Sequence, residues 1–316
     1  MTRILYPALA LVIAGMVSAA AWRNAPEPLE ITFAVPERVR SATVYVAHDK
    51  GYFDEEGLKV VLLPVQTGRE AVVAIREGRA DFAATAGMPV IESSRAGQPV
   101  SVLAAIANSD VHAGIVVLSA SPITSYADLK GKRVGVIKGT TSELFLTTTI
   151  RAYAIPEASI TFVPIAPPEA ASVLKDGSVD AVSTAEPWLS RMVSDRAEPT
   201  RALAGNSNFF DYWFVVGPHA TGPASDKERR LLRALSRANE LVRVAPAEAR
   251  AIVEQHVKVG SEEWSSHLFD LQLDDSVALS LQANARLTAT PGSAPFLAQA
   301  VLRAEPLNAV KATSER

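Results

Sequence analysis

Hydroxyl-bearing residues and glycines recur in four short segments, and each segment follows a run of apolar or β-branched residues. The segments are Gln66–Gly68, Thr85–Gly87, Gly139–Ser142 and Ser183–Glu186. A helix-like pattern begins after each one, so free N–H groups of a first helical turn and side-chain hydroxyls are expected to meet there. Such donors suit an anionic or polar group of a small molecule. The same hydroxyls also suit simple helix N-caps, and one such segment alone would indicate a cap. Four of them, all at the carboxyl ends of strands, favour a binding cleft.

Other kinds of chemistry leave little trace in the sequence. Lys138 precedes Gly139, which is the wrong order for a phosphate-binding P-loop. The chain has no cysteine, no G-x-S-x-G motif and no G-x-G-x-x-G motif. We therefore predict no catalytic residue, no metal and no cofactor. Five histidines stand singly, without the spacing of a metal site: His48, His112, His219, His256 and His267.

Composition limits the class of protein. The 316 residues are 48% hydrophobic and 21% charged, which is enough for a buried core and about two domains. The formal net charge is -3, and no block of like charge indicates a nucleic-acid track or a patch for an anionic membrane.

The N-terminal segment indicates export. Arg3 precedes an apolar run from Ile4 to Ala21, and small residues occupy its end, as in a secretory signal peptide. We expect cleavage after Ala20 or Ala21, so that residues 1–21 are removed and the mature chain lies in the periplasm. An uncleaved membrane anchor is the alternative, since the run is close to the length that spans a bilayer. No cysteine follows the run, which excludes a lipid-anchored lipoprotein.

The elements that must position the four segments alternate along the chain, which predicts βαβ units and mostly parallel sheets. Strands are predicted at 29–35, 58–65, 80–85, 99–107, 128–137, 159–165, 179–184, 200–205 and 212–217. Helices are predicted at 42–57, where the first helix ends around Gly51 and a second turn runs to Gly57, and at 69–78, 89–97, 142–154, 168–177 and 186–195. After Pro223 the pattern is almost wholly helical, and we expect these helices to pack on the first half of the chain. Their predicted caps are Ser225 with Glu228, Ser261, and Asp274 or Asp275.

The two halves of the alternating region are related in sequence. "EAVVAIREGRADFAAT" at 70–85 matches "EAASVLKDGSVDAVST" at 169–184 at a constant offset, with Asp81 aligned to Asp180 and Thr85 to Thr184. Any two α/β units share a helix, a glycine and a strand, but shared Asp and Thr positions are less readily explained that way. The repeat therefore favours two similarly built lobes.

Several motifs together carry a family resemblance. "HDKGYFDEEGLKVVLLPVQTG", "REGRADFAATAG", "ITSYADLKGKRVGVIKGTTSE" and "DGSVDAVSTAEPW" occur in order between about 45 and 190. They resemble periplasmic solute-binding proteins of ABC importers, in the branch that handles nitrate, sulfonates, taurine and thiamine-precursor pyrimidines. The resemblance implies an α/β, type II periplasmic binding protein fold, with two lobes, a hinge and an interlobe cleft. It places lobe 1 at 29–115 and 216–316, lobe 2 at 116–215, and hinge strands near 114–118 and 212–217.

The resemblance also implies the ligand contacts. Arg38 or Arg40 would supply a guanidinium for a sulfonate or carboxylate, and Trp188 a flat or apolar wall. Glu186 would repel an anion unless it points away, forms a salt bridge or meets an amine on the ligand. The implied ligand-binding residues are Arg38, Ser41, Gln66, Thr67, Gly68, Thr85, Ala86, Gly87, Thr140, Thr141, Ser142, Glu186 and Trp188.

The expected function is therefore a monomeric, non-enzymatic binding protein. It would capture a small anionic or zwitterionic solute and deliver it to the permease and ATPase subunits of an ABC importer. One alternative is a pyrimidine binder, or an enzyme on the same fold; the pyrimidine-synthesising relatives use a cleft histidine, for which His48 and His112 are candidates by elimination. The other is a sensory binding module held by an uncleaved N-terminal helix.

Overall fold

Ten strands form two five-stranded sheets in the computed structural model. The model describes residues 27–109, 113–194, 199–203, 211–257, 264 and 267–314. The predicted signal peptide, His112 and the predicted cap Ser261 lie outside these residues. The strands are β1 (Leu29–Pro36), β2 (Leu58–Val65), β3 (Phe82–Ala86), β4 (Val100–Ser109), β5 (Ala113–Leu118), β6 (Arg133–Val136), β7 (Thr161–Pro164), β8 (Ala181–Ala185), β9 (Thr200–Ala202) and β10 (Asp211–Pro218).

Each sheet is mostly parallel with one strand reversed. The first sheet has the order β2-β1-β3-β10-β4, and the second has the order β7-β6-β8-β5-β9. β10 runs antiparallel to β3 and β4, and β5 runs antiparallel to β8 and β9. These two reversed strands follow the two passages of the chain between sheets, the first between Ser109 and Ala113 and the second between Ala202 and Asp211. The fold is thus two α/β lobes joined twice.

The strand pairing bears on the predicted lobe boundaries. The boundaries at 115/116 and 215/216 cut through β5 and β10, whereas β5 pairs entirely in the second sheet and β10 entirely in the first. The strands that the family resemblance implies as hinges, β5 and β10, are thus full members of the two sheets. We propose that each boundary falls a few residues earlier in the chain than predicted.

Helices begin where the sequence places small polar residues after strands. The segment at 42–57 is two helices separated at Gly51, as predicted, and Gly51 has a positive φ of 71°. The helices are α1 (Ala42–Asp49), α2 (Tyr52–Glu55), α3 (Gly68–Arg76), α4 (Gly87–Arg95), α5 (Thr141–Ala152), α6 (Ala170–Lys175), α7 (Trp188–Ser194), α8 (Asp226–Val244), α9 (Pro246–Val253), α10 (Asp275–Leu287) and α11 (Glu305–Ser314).

The internal repeat has the same structural meaning in both halves. Asp81 accepts a hydrogen bond from the N–H of Thr32 at 2.9 Å, and Asp180 accepts one from the N–H of Arg133 at 2.8 Å. Each aspartate thus ties the start of one strand to the neighbouring strand. Thr85 and Thr184 are both fully buried in the strands that follow. Since matched residues make matched contacts, the repeat reflects similar construction of the two lobes.

The C-terminal helices contact the first sheet's layer. α8 packs on α1 and α2, and α11 packs on α8 and β4. The predicted capping box at Ser225 and Glu228 is present, and Asp274 caps α10. Glu228 also forms a buried ion pair with Arg303 at 2.9 Å, which fixes the segment before α11 against α8. Among the residues that the structure describes, no helix has the length and apolarity needed to cross a membrane.

The two lobes also meet through apolar side chains. One continuous cluster of buried residues includes Met88 of α4, Leu144 of α5 and Leu281 of α10. α10 contacts both α4 of the first lobe and α5 of the second. The lobes are therefore held together beside the cleft by packing as well as by the polar contacts described next.

Candidate functional site

A small cavity of about 50 Å³ lies between the lobes at the carboxyl ends of the strands. That edge is where parallel α/β sheets bind ligands. Nine of the thirteen predicted residues line the cavity: Arg38, Thr67, Gly68, Ala86, Thr140, Thr141, Ser142, Glu186 and Trp188. The other lining residues are Arg40, Pro89, Ile137, Ala185, Trp213 and His267. Residues that are far apart in sequence, from both lobes, thus converge on one site, which we call the cleft cavity.

Four predicted residues lie outside this lining. Thr85 is fully buried and its hydroxyl donates to the carbonyl of Gly68 at 2.9 Å. Ser41 is also fully buried and accepts a hydrogen bond from Trp213 Nε1 at 3.2 Å. Gln66 offers its carbonyl to Arg38, and Gly87 begins α4. These residues position the cavity wall, and a direct role for them in ligand binding stays a prediction.

Gly68 is required by a close approach of backbone to the neighbouring strand. A Cβ at this position would lie 2.6 Å from Thr85 Oγ1 and 3.0 Å from Thr85 Cα. Only glycine lets the start of α3 rest on β3 in this way. The contact sets the depth of the first lobe's side of the cavity.

The hydroxyls predicted to serve a ligand are engaged within the protein. Thr67 caps α3 by accepting from the N–H of Glu70 at 3.1 Å. Thr140 caps α5 by accepting from the N–H of Ser142 at 3.2 Å, and it donates to the carbonyl of Ile137 at 2.7 Å. Ser142 donates to the carbonyl of Ser183 on β8. Thr67 and Thr140 thus line the cavity and also cap helices, and the role of these hydroxyls in ligand binding stays a prediction.

A buried ion pair forms the floor beneath the cavity. Arg40 is 4% exposed and Asp211 is 1% exposed, and Arg40 Nη1 lies 3.7 Å from Asp211 Oδ2. Arg40 also donates to the Asp211 carbonyl at 2.9 Å. From the other lobe, the hydroxyl of Thr141 donates to Asp211 Oδ2 at 3.1 Å. Asp211 thus links a guanidinium of the first lobe to a hydroxyl of the second.

Burial disfavours the charges of this floor. It raises the pKa of the Asp211 carboxyl, although Arg40 and Thr141 oppose the rise. It lowers the pKa of the Arg40 guanidinium to about 10, which still leaves Arg40 charged at neutral pH. Burial, with Arg40 nearby, also lowers the pKa of His267 to about 3, so that this wall residue is a neutral imidazole.

Arg38 spans the mouth of the cleft. One guanidinium nitrogen donates to the carbonyl of Gln66 at 3.0 Å, and another donates to the carbonyl of Glu186 in the opposite lobe. Arg38 therefore bridges the lobes through backbone oxygens. A guanidinium in this position can form a charge-assisted hydrogen bond with an anion.

Glu186 is half-buried and its carboxylate faces its own helix. The two carboxylate oxygens accept from the N–H of Ser190 at 3.1 Å and from its hydroxyl at 2.8 Å. Burial raises the pKa of Glu186, while Ser190 and Arg38 lower it. This placement limits the repulsion of an anion that the sequence predicted, because the charge is held at the start of α7.

Two tryptophans form flat walls. Trp213 on β10 lies beneath Arg40, whose guanidinium carbon is 4.9 Å from the ring centre. Trp188 at the start of α7 is covered on one face by Arg191, also at 4.9 Å. Both rings are thus held by cation–π contacts, and both will report changes in the cleft by fluorescence.

Sequence reasoning missed part of this wall. It placed Trp213 in a strand without a site role and treated His267 as an isolated histidine. It proposed His48 as a cleft histidine, whereas His48 lies on α1, hydrogen-bonded to Asp49 and away from the cleft cavity. The other candidate, His112, is outside the described residues. No local sequence signal marks Trp213 or His267 as site residues. Both follow the second passage of the chain between the lobes, so their place in the cleft depends on the overall topology.

A larger cavity of about 760 Å³ lies elsewhere between the lobes, along α3, α4 and α5. None of the thirteen predicted residues lines it. It is open and flanked by exposed arginines, whereas the cleft cavity has buried charges, aromatic walls and helix starts from both lobes. Those features make the cleft cavity the candidate site. Within the described residues, no cluster of His, Asp and Glu has the arrangement of a metal site.

Two α/β lobes that are joined twice, with a cavity between them at the strand ends, define the type II periplasmic binding protein fold. The chain aligns with the alkanesulfonate-binding protein SsuA from Xanthomonas axonopodis pv. citri bound to MOPS with a TM-score of 0.73. The alignment covers 89% of this chain and 100% of that one at 18% identity. This likeness establishes the fold.

The chain belongs to the NMT1/THI5-like family, whose model matches residues 39–249. A Bacillus subtilis (strain 168) protein named for binding aliphatic sulfonates is 30% identical over 149 residues, 46% of this chain and 45% of that protein. The 4-amino-5-hydroxymethyl-2-methylpyrimidine phosphate synthase of Aspergillus parasiticus is 25% identical over 224 residues, 66% of this chain and 64% of the synthase. The chain thus spans less than two thirds of either relative.

Proposed function

We propose that the protein is an extracytoplasmic solute-binding protein that captures a small anionic or zwitterionic solute of the sulfonate class between its lobes. It would deliver the solute to the permease and ATPase of an ABC importer. The observation that carries this proposal is the convergence of residues from both lobes, with two arginines, on one cleft. The name of the Bacillus relative supports the sulfonate class. Nitrate and taurine belong to the same proposed class.

The mechanism would be a shift in population between open and closed arrangements of the lobes. Arg38 is the first contact for an incoming anion, since it stands at the mouth of the cleft and donates to carbonyls of both lobes. Arg40, neutralised from beneath by Asp211, would orient the head group rather than supply net charge. A dissociation constant near micromolar, about 8 kcal/mol, is reasonable for such a clamp.

The test is a titration of the purified protein with methanesulfonate, taurine, nitrate and 4-amino-5-hydroxymethyl-2-methylpyrimidine. Tryptophan fluorescence reports on the cleft walls, and small-angle scattering reports on lobe closure. We expect at least one sulfonate to change both signals saturably. Arg38→Gln should weaken that binding at least ten-fold, while Arg243→Gln, an exposed arginine on α8, should not. The proposal is refuted if no compound in the panel changes either signal.

A second candidate is a pyrimidine binder or an enzyme on the same fold. Its support is the match to the Aspergillus synthase and the presence of His267 in the cleft wall. Our proposal is a non-enzyme, and it is distinguished by turnover. If the pyrimidine is bound and converted, and conversion is lost in His267→Ala while binding persists, the enzyme candidate is favoured.

The proposal includes export of the protein to the periplasm and a monomeric state. The N-terminal segment that predicts a signal peptide supports a periplasmic location, with a membrane-anchored sensory module as the alternative. N-terminal sequencing of the exported protein distinguishes the two, since a mature chain beginning near Ala21 contradicts anchoring. Native mass spectrometry of the same sample would give the oligomeric state and show any solute that copurifies.

A further inference from the structure

The cleft cavity is too small for most solutes of the proposed class. Its volume of about 50 Å³ holds a few water molecules or a compact polar group. Typical small-molecule pockets measure about 300–1,000 Å³. The head group of a solute fits this space, but an organic tail of several carbons must lie elsewhere.

A second pocket begins at the wall of the first. It measures about 320 Å³ and lies between α6 and α7 of the second lobe. We call it the α6–α7 pocket. Trp188 lines both it and the cleft cavity, so the two volumes share this residue.

The chemistry of the α6–α7 pocket suits an apolar occupant. Leu118, Pro168, Ala171 and Met192 line it, with the basic residues Lys175 and Arg191, and no acidic residue among those that the structure describes does so. Arg191 lines this pocket but not the cleft cavity, and its guanidinium covers the Trp188 ring at 4.9 Å. One face of the indole is therefore covered by a residue of the α6–α7 pocket. The polar donors of the site line the cleft cavity, and the apolar side chains, together with Lys175 and Arg191, line the α6–α7 pocket.

We propose that the α6–α7 pocket is the subsite for the apolar tail of an amphipathic solute whose polar head occupies the cleft cavity. Trp188 is the gate between them, and rotation of its side chain joins the two volumes. This inference rests on the proposed function, because it takes the head group to be bound in the cleft. It adds that selectivity for the tail resides in the second lobe alone.

The test is a series of n-alkanesulfonates from methanesulfonate to octanesulfonate, with affinity measured by titration calorimetry. Each methylene that enters the pocket should tighten binding about four-fold, from about 0.8 kcal/mol per buried CH₂. The gain should stop when the pocket is full. Ala171 is exposed on α6, so Ala171→Phe can fill the pocket without disturbing the core. This variant should lose the gain with chain length and bind methanesulfonate within about two-fold of the parent.

The matched control is Ala251→Phe, at an exposed alanine on α9 that lines neither pocket. It should retain the full dependence on chain length. If methanesulfonate binds but longer chains gain nothing, or if Ala171→Phe weakens short and long chains equally, the tail subsite is wrong and the binding function stands. If no sulfonate of any length binds, the proposed function is wrong and the subsite is lost with it.

Discussion

Removing the carboxylate beneath the cleft is the sharpest test of how the site is built. In Asp211→Ala, Arg40 stays buried at 4% exposure and loses its anionic partner. Thr141 loses its acceptor at 3.1 Å, and the N–H groups of Gly87 and Tyr212 lose theirs. Breaking one side of a buried ion pair costs about 3–5 kcal/mol, because the remaining charge cannot regain its hydration. Such a loss is a large part of the about 5–15 kcal/mol that stabilises a typical domain.

The assay is urea unfolding followed by circular dichroism and by tryptophan fluorescence. Coincident curves would show that one transition is measured, and an unchanged slope would assign the midpoint shift to stability. Arg40→Met should cost a similar amount, since it leaves Asp211 buried without its guanidinium. The double variant Arg40→Met with Asp211→Leu should cost clearly less than the sum, because no buried charge is left behind.

The control for this cycle is an exposed pair on the same lobe. Arg243 and Glu240 lie 3.5 Å apart on α8 and are both more than half exposed. Arg243→Met should change the free energy of unfolding by less than about 1 kcal/mol. The reasoning is refuted if Asp211→Ala costs no more than this control, or if the double variant costs the full sum of the two single ones.

Three further predictions concern closure, packing and pH. Thr141→Val removes a cross-lobe hydrogen bond to a charged acceptor, worth about 1.5–3 kcal/mol, so small-angle scattering should show a more open protein. The control Thr148→Val should leave the scattering unchanged, because the Thr148 hydroxyl donates to the Leu144 carbonyl within α5. Gly68→Ala places a Cβ 2.6 Å from Thr85 Oγ1, and it should lower the free energy of unfolding in urea by about 1–3 kcal/mol. The control Gly222→Ala should leave that free energy unchanged, because its Cβ would meet no atom within 4 Å. Hydrogen bonds from the N–H groups of Thr124 and Ser125 lower the pKa of Asp128 from its usual 3.8 to about 2. The ionised Asp128 carboxylate therefore stabilises the folded protein above about pH 4, and this contribution is lost as pH falls through 2. Asp128→Asn should therefore lower the unfolding midpoint at pH 7 and converge with the parent near pH 2; a difference that persists unchanged at pH 2 would contradict the assignment.

Much of the fold follows from local patterns in the sequence. The capping box at Ser225 and Glu228 is a short-range signal, and it marks the start of α8 correctly. The repeat that aligns Asp81 with Asp180 also predicts matched structure, because each aspartate makes its contact with an adjacent strand. The strand order could not be read from the same patterns. Insertion of β10 between β3 and β4 depends on a return of the chain that leaves no local trace.

Residues of the candidate site also differ in whether local sequence patterns could identify them. Residues at helix starts, such as Thr67 and Thr140, could be found because strand ends and helix caps have recognisable compositions. Arg40 and Asp211 are 171 positions apart, and only the topology brings them together. The sequence also could not show that the cap hydroxyls are engaged inside the protein, since capping and ligand binding use the same residue types at the same positions.

The hydrogen bonds that these hydroxyls form inside the protein limit how the site can recognise a solute. The hydroxyls of Thr140, Thr141 and Ser142 already donate to protein acceptors, so a solute must either displace those bonds or rely on other donors. Displacement would gain little, because one hydrogen bond replaces another. Arg38 differs, since it donates to two neutral carbonyls on opposite lobes, and exchange of either for an anionic oxygen gives a stronger charge-assisted bond. The same exchange gives up a bridge between the lobes. An anion that stabilises closure must therefore contact the second lobe itself, away from the Glu186 carboxylate that already occupies the start of α7.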